Sequence, residues 1–147
     1  MSYYKGKYRE ARRQWLDLAY REARTRGLEF ERDSEQEAFH IPGDRAVRVR
    51  ASMEQRPVIK LVVNDLIKAI QGEYDDLGDR FLLVVLLINN PNEYDPEQND
   101  FIPIRDTLLK RGSYTTERED GKTQLTINVN KAPFKRTMNN WGWIFEK

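Results

Sequence analysis

The sequence predicts an α+β (α/β-like) fold in a single domain spanning residues 1–147, and three observations support this prediction. A long amphipathic helical pattern opens the chain, whereas most later segments alternate apolar and polar residues with the period of two typical of β-strands. One segment, "FLLVVLLI" at residues 81–88, is continuously apolar, as in a strand buried on both faces. With 147 residues, of which 39% are hydrophobic and 33% charged, the chain is long enough to bury a core.

The first predicted element is a long helix, "KYREARRQWLDLAYREARTRG", at residues 7–27. Its apolar residues recur at spacings of three and four, which places them on one face, and arginine and glutamate fill the positions between. The residues of this face are Tyr8, Ala11, Trp15, Leu18 and Ala19. Gly27 supplies the C-terminal stop, because glycine readily adopts the conformation that ends a helix.

Three short strands are predicted next: "LEFER" at residues 28–32, "EAFHI" at 37–41 and "RAVRVRA" at 45–51. The last two form a hairpin whose turn is "PGD". In the third strand Val47 and Val49 face one way. Arg48 and Arg50 face the other, in a row that we expect to be exposed.

A second helix is predicted from Pro57 to Gly72, since apolar residues there follow helical spacing and proline suits a first helical turn. The β-branched run "VIKLVV" at its start leaves open a strand there. A polar loop then leads into the apolar segment at residues 81–88, which we predict to be the buried central strand.

For the last third of the chain we predict a turn-rich loop at residues 89–100, a short helix at 101–112 and a β-hairpin at 113–129. The hairpin signal is the dipeptide Asp120-Gly121 between two alternating runs, which is typical of a type I′ turn. The tail is irregular but aromatic, and we expect four of its side chains to dock on the body. These are Phe134, Trp141, Trp143 and Phe145.

Several classes of protein are excluded or disfavoured by composition. There is no cysteine, which excludes disulfides, thiolate catalysis and cysteine zinc sites. The longest apolar run has eight residues, whereas a spanning helix needs about 20. No signal-peptide pattern follows Met1. We therefore expect a cytoplasmic protein with no membrane partner.

The sequence contains few motifs of the kind that form catalytic or ligand-binding sites. His40 is the only histidine and lies in a predicted hairpin strand, so we expect a structural or surface residue. The glycines are isolated at turns and form no phosphate loop. An acidic group precedes the central strand, without the spacing of a calcium loop, and we expect it to be solvated. Its members are Glu73, Asp75, Asp76 and Asp79. We expect no cofactor, no metal and no catalytic residue.

The predicted order of helix, three strands, helix and strand over the first 88 residues resembles the core of the restriction-endonuclease-like nucleases. In that family the second and third strands carry an Asp and a Glu-x-Lys or Asp-x-Lys triplet, which hold Mg²⁺ and assist the attacking water. The triplet position here holds Arg48-Val49-Arg50. Because guanidinium groups have no acceptor for a metal, the resemblance implies a catalytically degenerate core that binds rather than cuts.

Charge is unevenly distributed along the chain. Residues 1–26 contain eight basic and three acidic side chains, whereas residues 57–111 contain six basic and ten acidic ones. Basic ends of this kind indicate a polyanion-binding face. The candidate nucleic-acid-binding residues are Arg9, Arg12, Arg13, Arg24, Arg48, Arg50, Lys135 and Arg136, with Tyr3 and Tyr4 for stacking.

Two functions remain open on the sequence alone. The first is a non-catalytic module that binds DNA or RNA through the basic helix and the arginine-bearing strand, which requires that their guanidinium groups share one side of the molecule. The alternative is a protein-interaction or assembly subunit. In that case the acidic middle of one copy, or of a partner, meets basic ends, and the C-terminal hairpin offers an edge for pairing.

Overall fold

In a computed structural model of the protein, the described residues are 2–33, 38–41, 45–53, 57–64, 81–90, 92–105, 108 and 114–145. Within them the fold is mixed α+β, as predicted. Helix α1 (Ser2–Thr25) opens the chain, and two short helices, α2 (Ala132–Thr137) and α3 (Trp141–Phe145), end the described part. The strands are β1 (Glu31–Asp33), β2 (Ala38–Ile41), β3 (Arg45–Met53), β4 (Val58–Val62), β5 (Phe81–Ile88), β6 (Phe101–Arg105), β7 (Thr115–Glu117) and β8 (Thr123–Asn128).

The larger sheet has five strands in the order β1-β2-β3-β5-β6. The β2–β3 hairpin is confirmed, with Ile41 paired to Arg45, and β3 runs parallel to β5. All eight side chains of β5 are buried, which confirms the central strand. The first strand begins three residues later than predicted, at Glu31, and Leu28 and Phe30 pack against the core before it.

The smaller sheet has the order β4-β8-β7 and corrects one prediction. Residues 58–62 form a strand and not the start of a helix, and Ile59 pairs with Ile127 while Leu61 pairs with Leu125. The β-branched run suits a pleated surface, and pairing with a segment more than sixty residues away decides its conformation. The rest of the predicted helix, from residue 65 to residue 72, lies outside the described residues.

Strand β6 corrects a second prediction, because residues 101–105 were expected to begin a helix. Their side chains alternate: Ile102 and Ile104 face one core and Phe101 faces the other. Pro103 is tolerated because its backbone faces the outer edge of the sheet, where its carbonyl accepts the Thr137 hydroxyl at 3.1 Å. Apart from Leu108, residues 106–112 lie outside the described residues.

The outer edge of β6 is covered by the turn after α2. Asn139 adopts a left-handed conformation (φ 60°), which asparagine tolerates better than most residues. Its N–H donates to the Phe101 carbonyl at 2.8 Å, and its Oδ1 accepts the Phe101 N–H at 2.9 Å. One asparagine thus satisfies both backbone groups of Phe101, as a neighbouring strand would.

The C-terminal hairpin is confirmed, but its turn differs from the expected type I′. Gly121 has a φ of 80°, and Asn139 is the only non-glycine residue with positive φ in the described part. The Gly121 N–H donates to the Arg118 carbonyl at 3.0 Å, and the Arg118 N–H donates to the Lys122 carbonyl at 2.8 Å. These bonds define a three-residue loop, a type I turn followed by a glycine bulge, in which Asp120 does not need positive φ.

The core is divided between the two faces of the larger sheet. On one face the helix-side core joins α1 to the sheet through Trp15, Ala19, Val47, Val49, Leu82 and Val84. On the other face the sheet-side core joins the two sheets through Leu83, Val85, Ile59, Leu125 and Ile127. The aromatic tail docks as predicted through Phe134, Trp141 and Phe145, whereas Trp143 stays 36% exposed.

Candidate nucleic-acid interface

The outer face of α1 carries a row of cationic and aromatic side chains. Its inner face is buried, so positions four and seven residues apart on the opposite side project outward together. Arg9, Arg13, Tyr20 and Arg24 have this spacing and are all exposed. We call these four residues the arginine stripe. At 1.5 Å of rise per residue, it extends about 22 Å along the helix.

Two of the three acidic residues of α1 bind cations that do not belong to the stripe, and the third, Glu10, accepts a hydrogen bond from the Gln14 amide. Asp17 pairs with Arg32 of β1, and Glu22 pairs with Arg26 at 2.8 Å. Exposed pairs of this kind add little stability, but they neutralise carboxylates that would otherwise reduce the positive potential of the stripe. Within the described part of the chain, Arg13 makes no ion pair or hydrogen bond, which leaves its guanidinium accessible.

Tyr20 is the aromatic member of the stripe, and its ring is held in place by two neighbours. Tyr20 is 38% exposed, the Arg24 guanidinium lies 5.7 Å from the centroid of its ring, and Phe30 packs edge-on at 5.4 Å. Phe30 in turn stacks on Phe39 of the helix-side core. Tyr20 is not among the residues predicted from the sequence, although its spacing of seven from Arg13 and four from Arg24 could have revealed it.

Other basic residues of α1 do not belong to this row. Arg12 lies about 100° around the helix from Arg13 and is half-buried, whereas Arg9, which like Arg12 interacts within the protein, is exposed. The side chains of Tyr3 and Tyr4 lie outside the described residues. The stripe therefore consists of three of the four helix arginines predicted from the sequence, together with Tyr20.

Arg48 and Arg50 do not lie beside the stripe. The predicted alternation is confirmed, since Val47 and Val49 belong to the helix-side core. The arginines accordingly face the sheet-side core, opposite α1, next to residues of β5. They are half-buried and the Nε of Arg48 is buried, so the expectation of an exposed row is wrong. The alternation of residues along a strand shows which side chains share a face of the sheet. It does not show whether that face is exposed to solvent.

Lys135 and Arg136 are exposed on α2, beside the outer edge of β6. The stripe instead lies near β1, since its Tyr20 ring packs against Phe30 just before β1, and β1 is at the other end of the sheet order. The C-terminal cations therefore do not extend the stripe. The predicted basic residues occupy three separate places, and the requirement that helix and strand arginines share one side is not met.

Replacing both Arg48 and Arg50 with alanine is expected to destabilise the fold. Each side chain packs its aliphatic stem in a half-buried position, and removing it costs about 1 to 3 kcal/mol of unfolding free energy. Thermal unfolding followed by circular dichroism measures the change. Arg48→Met, which keeps an unbranched chain, separates lost packing from lost charge. Unchanged stability combined with weaker polyanion binding would contradict this structural role.

Among the described residues, the remaining candidates for catalysis or metal binding are not arranged for either role. His40 is exposed and bonds Glu31 at 2.8 Å, as expected of a surface histidine. Burial raises the pKa of the Tyr94 phenol, and the charge of Asp95 raises it further, so this phenol is not a base near neutral pH. In the described part no three histidine or acidic residues are grouped to hold a metal ion. The acidic group at residues 73–79 lies outside the described residues.

The edge that the assembly alternative requires is present but short. In the described part β7 pairs only with β8, and it has three residues, of which Thr116 and Glu117 are exposed. A short edge with a charged side chain is a poor template for pairing with another chain. Self-association through this hairpin stays a prediction.

Comparison with protein-family models, curated proteins and solved structures finds no match. The resemblance to restriction-endonuclease-like nucleases therefore stays a prediction based on element order. Among the described helices, none has the length and apolar content that crossing a bilayer requires.

Proposed function

We propose that the protein is a non-catalytic module that binds nucleic acid through the arginine stripe of α1 alone, without Arg48 and Arg50, which lie on the other face of the sheet. The observation that carries this proposal is the exposure of Arg9, Arg13 and Arg24 in one row while Asp17 and Glu22 are paired elsewhere. Arginine suits this role, because its planar guanidinium offers several donors in a geometry that matches a phosphate.

The spacing of the stripe favours contact with the phosphate backbone over reading of bases. Three cations fixed along about 22 Å of helix can each meet a phosphate, and such contacts release counterions regardless of sequence. Tyr20 adds a ring face on which an unpaired base can stack. We therefore expect little sequence preference and stronger binding to a single strand than to a duplex.

The test is a fluorescence anisotropy titration of labelled DNA of about 20 nucleotides, as single strand and as duplex, between about 50 and 200 mM salt. Three phosphate contacts predict a slope of log affinity against log salt of about −2.1 for the single strand and about −2.7 for the duplex. Absence of binding at the lowest salt, or affinity that does not change with salt, would contradict the proposal.

A further inference from the structure

A pocket of about 430 Å³ lies beside the outer edge of β6, where α2 and α3 pass around it. This volume falls within the range of small-molecule sites. Its described lining includes Pro103, Arg105, Pro133, Arg136, Asn140 and Trp143. We call it the β6-edge pocket. No sequence motif indicated it, because its walls come from two separate segments of the chain.

One wall of the pocket is a flat cationic platform. The guanidinium carbon of Arg105 lies 4.3 Å from the centroid of the Trp143 ring, and Trp143 remains 36% exposed. Indole and guanidinium planes both stack on planar aromatic rings. Pro103 and Pro133 add apolar walls that exclude water from such a ring.

The other groups of the pocket favour an anion. Arg136 is exposed at the pocket, and no aspartate or glutamate is among the described lining residues. The Oδ1 of Asn140 accepts the Trp143 backbone N–H at 3.0 Å, so its amide nitrogen remains as a donor. An aromatic platform beside a cation and a neutral donor matches a ligand that has both a planar ring and a phosphate.

We infer that the β6-edge pocket binds a nucleotide, with the base on the Trp143–Arg105 platform and the phosphate at Arg136. The same chemistry is present in a free mononucleotide and in the 5′-phosphorylated end of a strand. The pocket adjoins β6, whereas the Tyr20 ring of the arginine stripe packs against Phe30 next to β1, at the other end of the sheet order. Neither site depends on the other, so one proposal can fail while the other stands.

The test is isothermal titration of the intact protein with AMP and with adenosine. We expect Arg136→Gln to weaken AMP binding roughly tenfold and to leave adenosine binding nearly unchanged, because one charge-assisted bond is lost. Trp143→Ala is expected to weaken both ligands, because stacking is lost. The matched control is Lys135→Gln, which removes the same charge from the same helix outside the pocket lining and leaves both affinities unchanged.

A second titration distinguishes a free mononucleotide from the end of a strand. Oligonucleotides with and without a 5′-phosphate are titrated into the variant Arg13→Ala/Arg24→Ala. Binding that requires the terminal phosphate and falls in Arg136→Gln assigns the pocket to strand ends, whereas binding of AMP alone assigns it to free nucleotides. Absence of binding by AMP and by the phosphorylated strand overturns the inference. Equal losses in Arg136→Gln and Lys135→Gln overturn it as well, since they indicate general charge attraction.

Discussion

Replacing Trp15 with alanine is expected to lower the free energy of unfolding by about 3 to 5 kcal/mol, the range for large aromatic residues removed from a core. Trp15 is 0% exposed. Its ring lies 5.2 Å from that of Trp141, 5.4 Å from that of Phe101 and 6.4 Å from that of Phe39. One side chain of α1 therefore contacts β2, β6 and α3, and its removal leaves a cavity among elements that are far apart in sequence.

A second substitution at the same position isolates the cavity as the cause. The indole Nε1 of Trp15 is buried and finds no acceptor in the described part of the chain. Trp15→Phe keeps most of the ring contact and removes this donor, so we expect it to cost much less than alanine. Urea unfolding followed by far-ultraviolet circular dichroism gives both values, provided that the slopes with denaturant agree.

The matched control for Trp15→Ala is Trp143→Ala, the same change at an exposed position. Trp143 loses its contact with Arg105, which is worth about 0.5 to 1 kcal/mol at a surface. A cost for Trp15→Ala no greater than that for Trp143→Ala would show that the helix-side core does not depend on Trp15.

The parts of the fold that could be predicted are those set by local pattern. Helix α1, the β2–β3 hairpin and strand β5 each have a long and unambiguous periodicity. Strands β4 and β6 have five residues each, a length at which helical and strand spacings both fit. Their conformation is decided by pairing with β8 and β5, and a pairing partner cannot be deduced from the segment itself.

The same distinction applies to the candidate site. The outward positions of Arg9, Arg13 and Arg24 follow from helical geometry once one face of α1 is known to be buried. The burial of Arg48 and Arg50 depends on packing against the sheet-side core, which their own strand does not encode. The β6-edge pocket could not be predicted from the sequence, because it forms only where the chain turns around the edge of the sheet.

Replacing Arg13 and Arg24 together with alanine is expected to weaken binding to single-stranded DNA by a factor of about a hundred or more at low salt. A hydrogen bond to a charged group contributes about 1.5 to 3 kcal/mol, and each 1.4 kcal/mol is a factor of ten in affinity. The salt slope is expected to fall from about −2.1 to about −0.7, since one of three phosphate contacts remains. Both residues are exposed, so unfolding should be nearly unchanged.

A charge-matched control decides between a specific surface and general attraction to a cationic protein. Lys122 and Lys131 are both exposed and neither belongs to α1: Lys122 lies in the turn of the C-terminal hairpin and Lys131 lies just before α2. Lys122→Ala/Lys131→Ala lowers the net charge by the same two units. If the stripe is the binding surface, this variant keeps nearly all of the affinity and the full salt slope, because counterions are released only where phosphates meet cations. Equal losses in the two variants would mean that net charge drives binding and that the geometry of α1 does not.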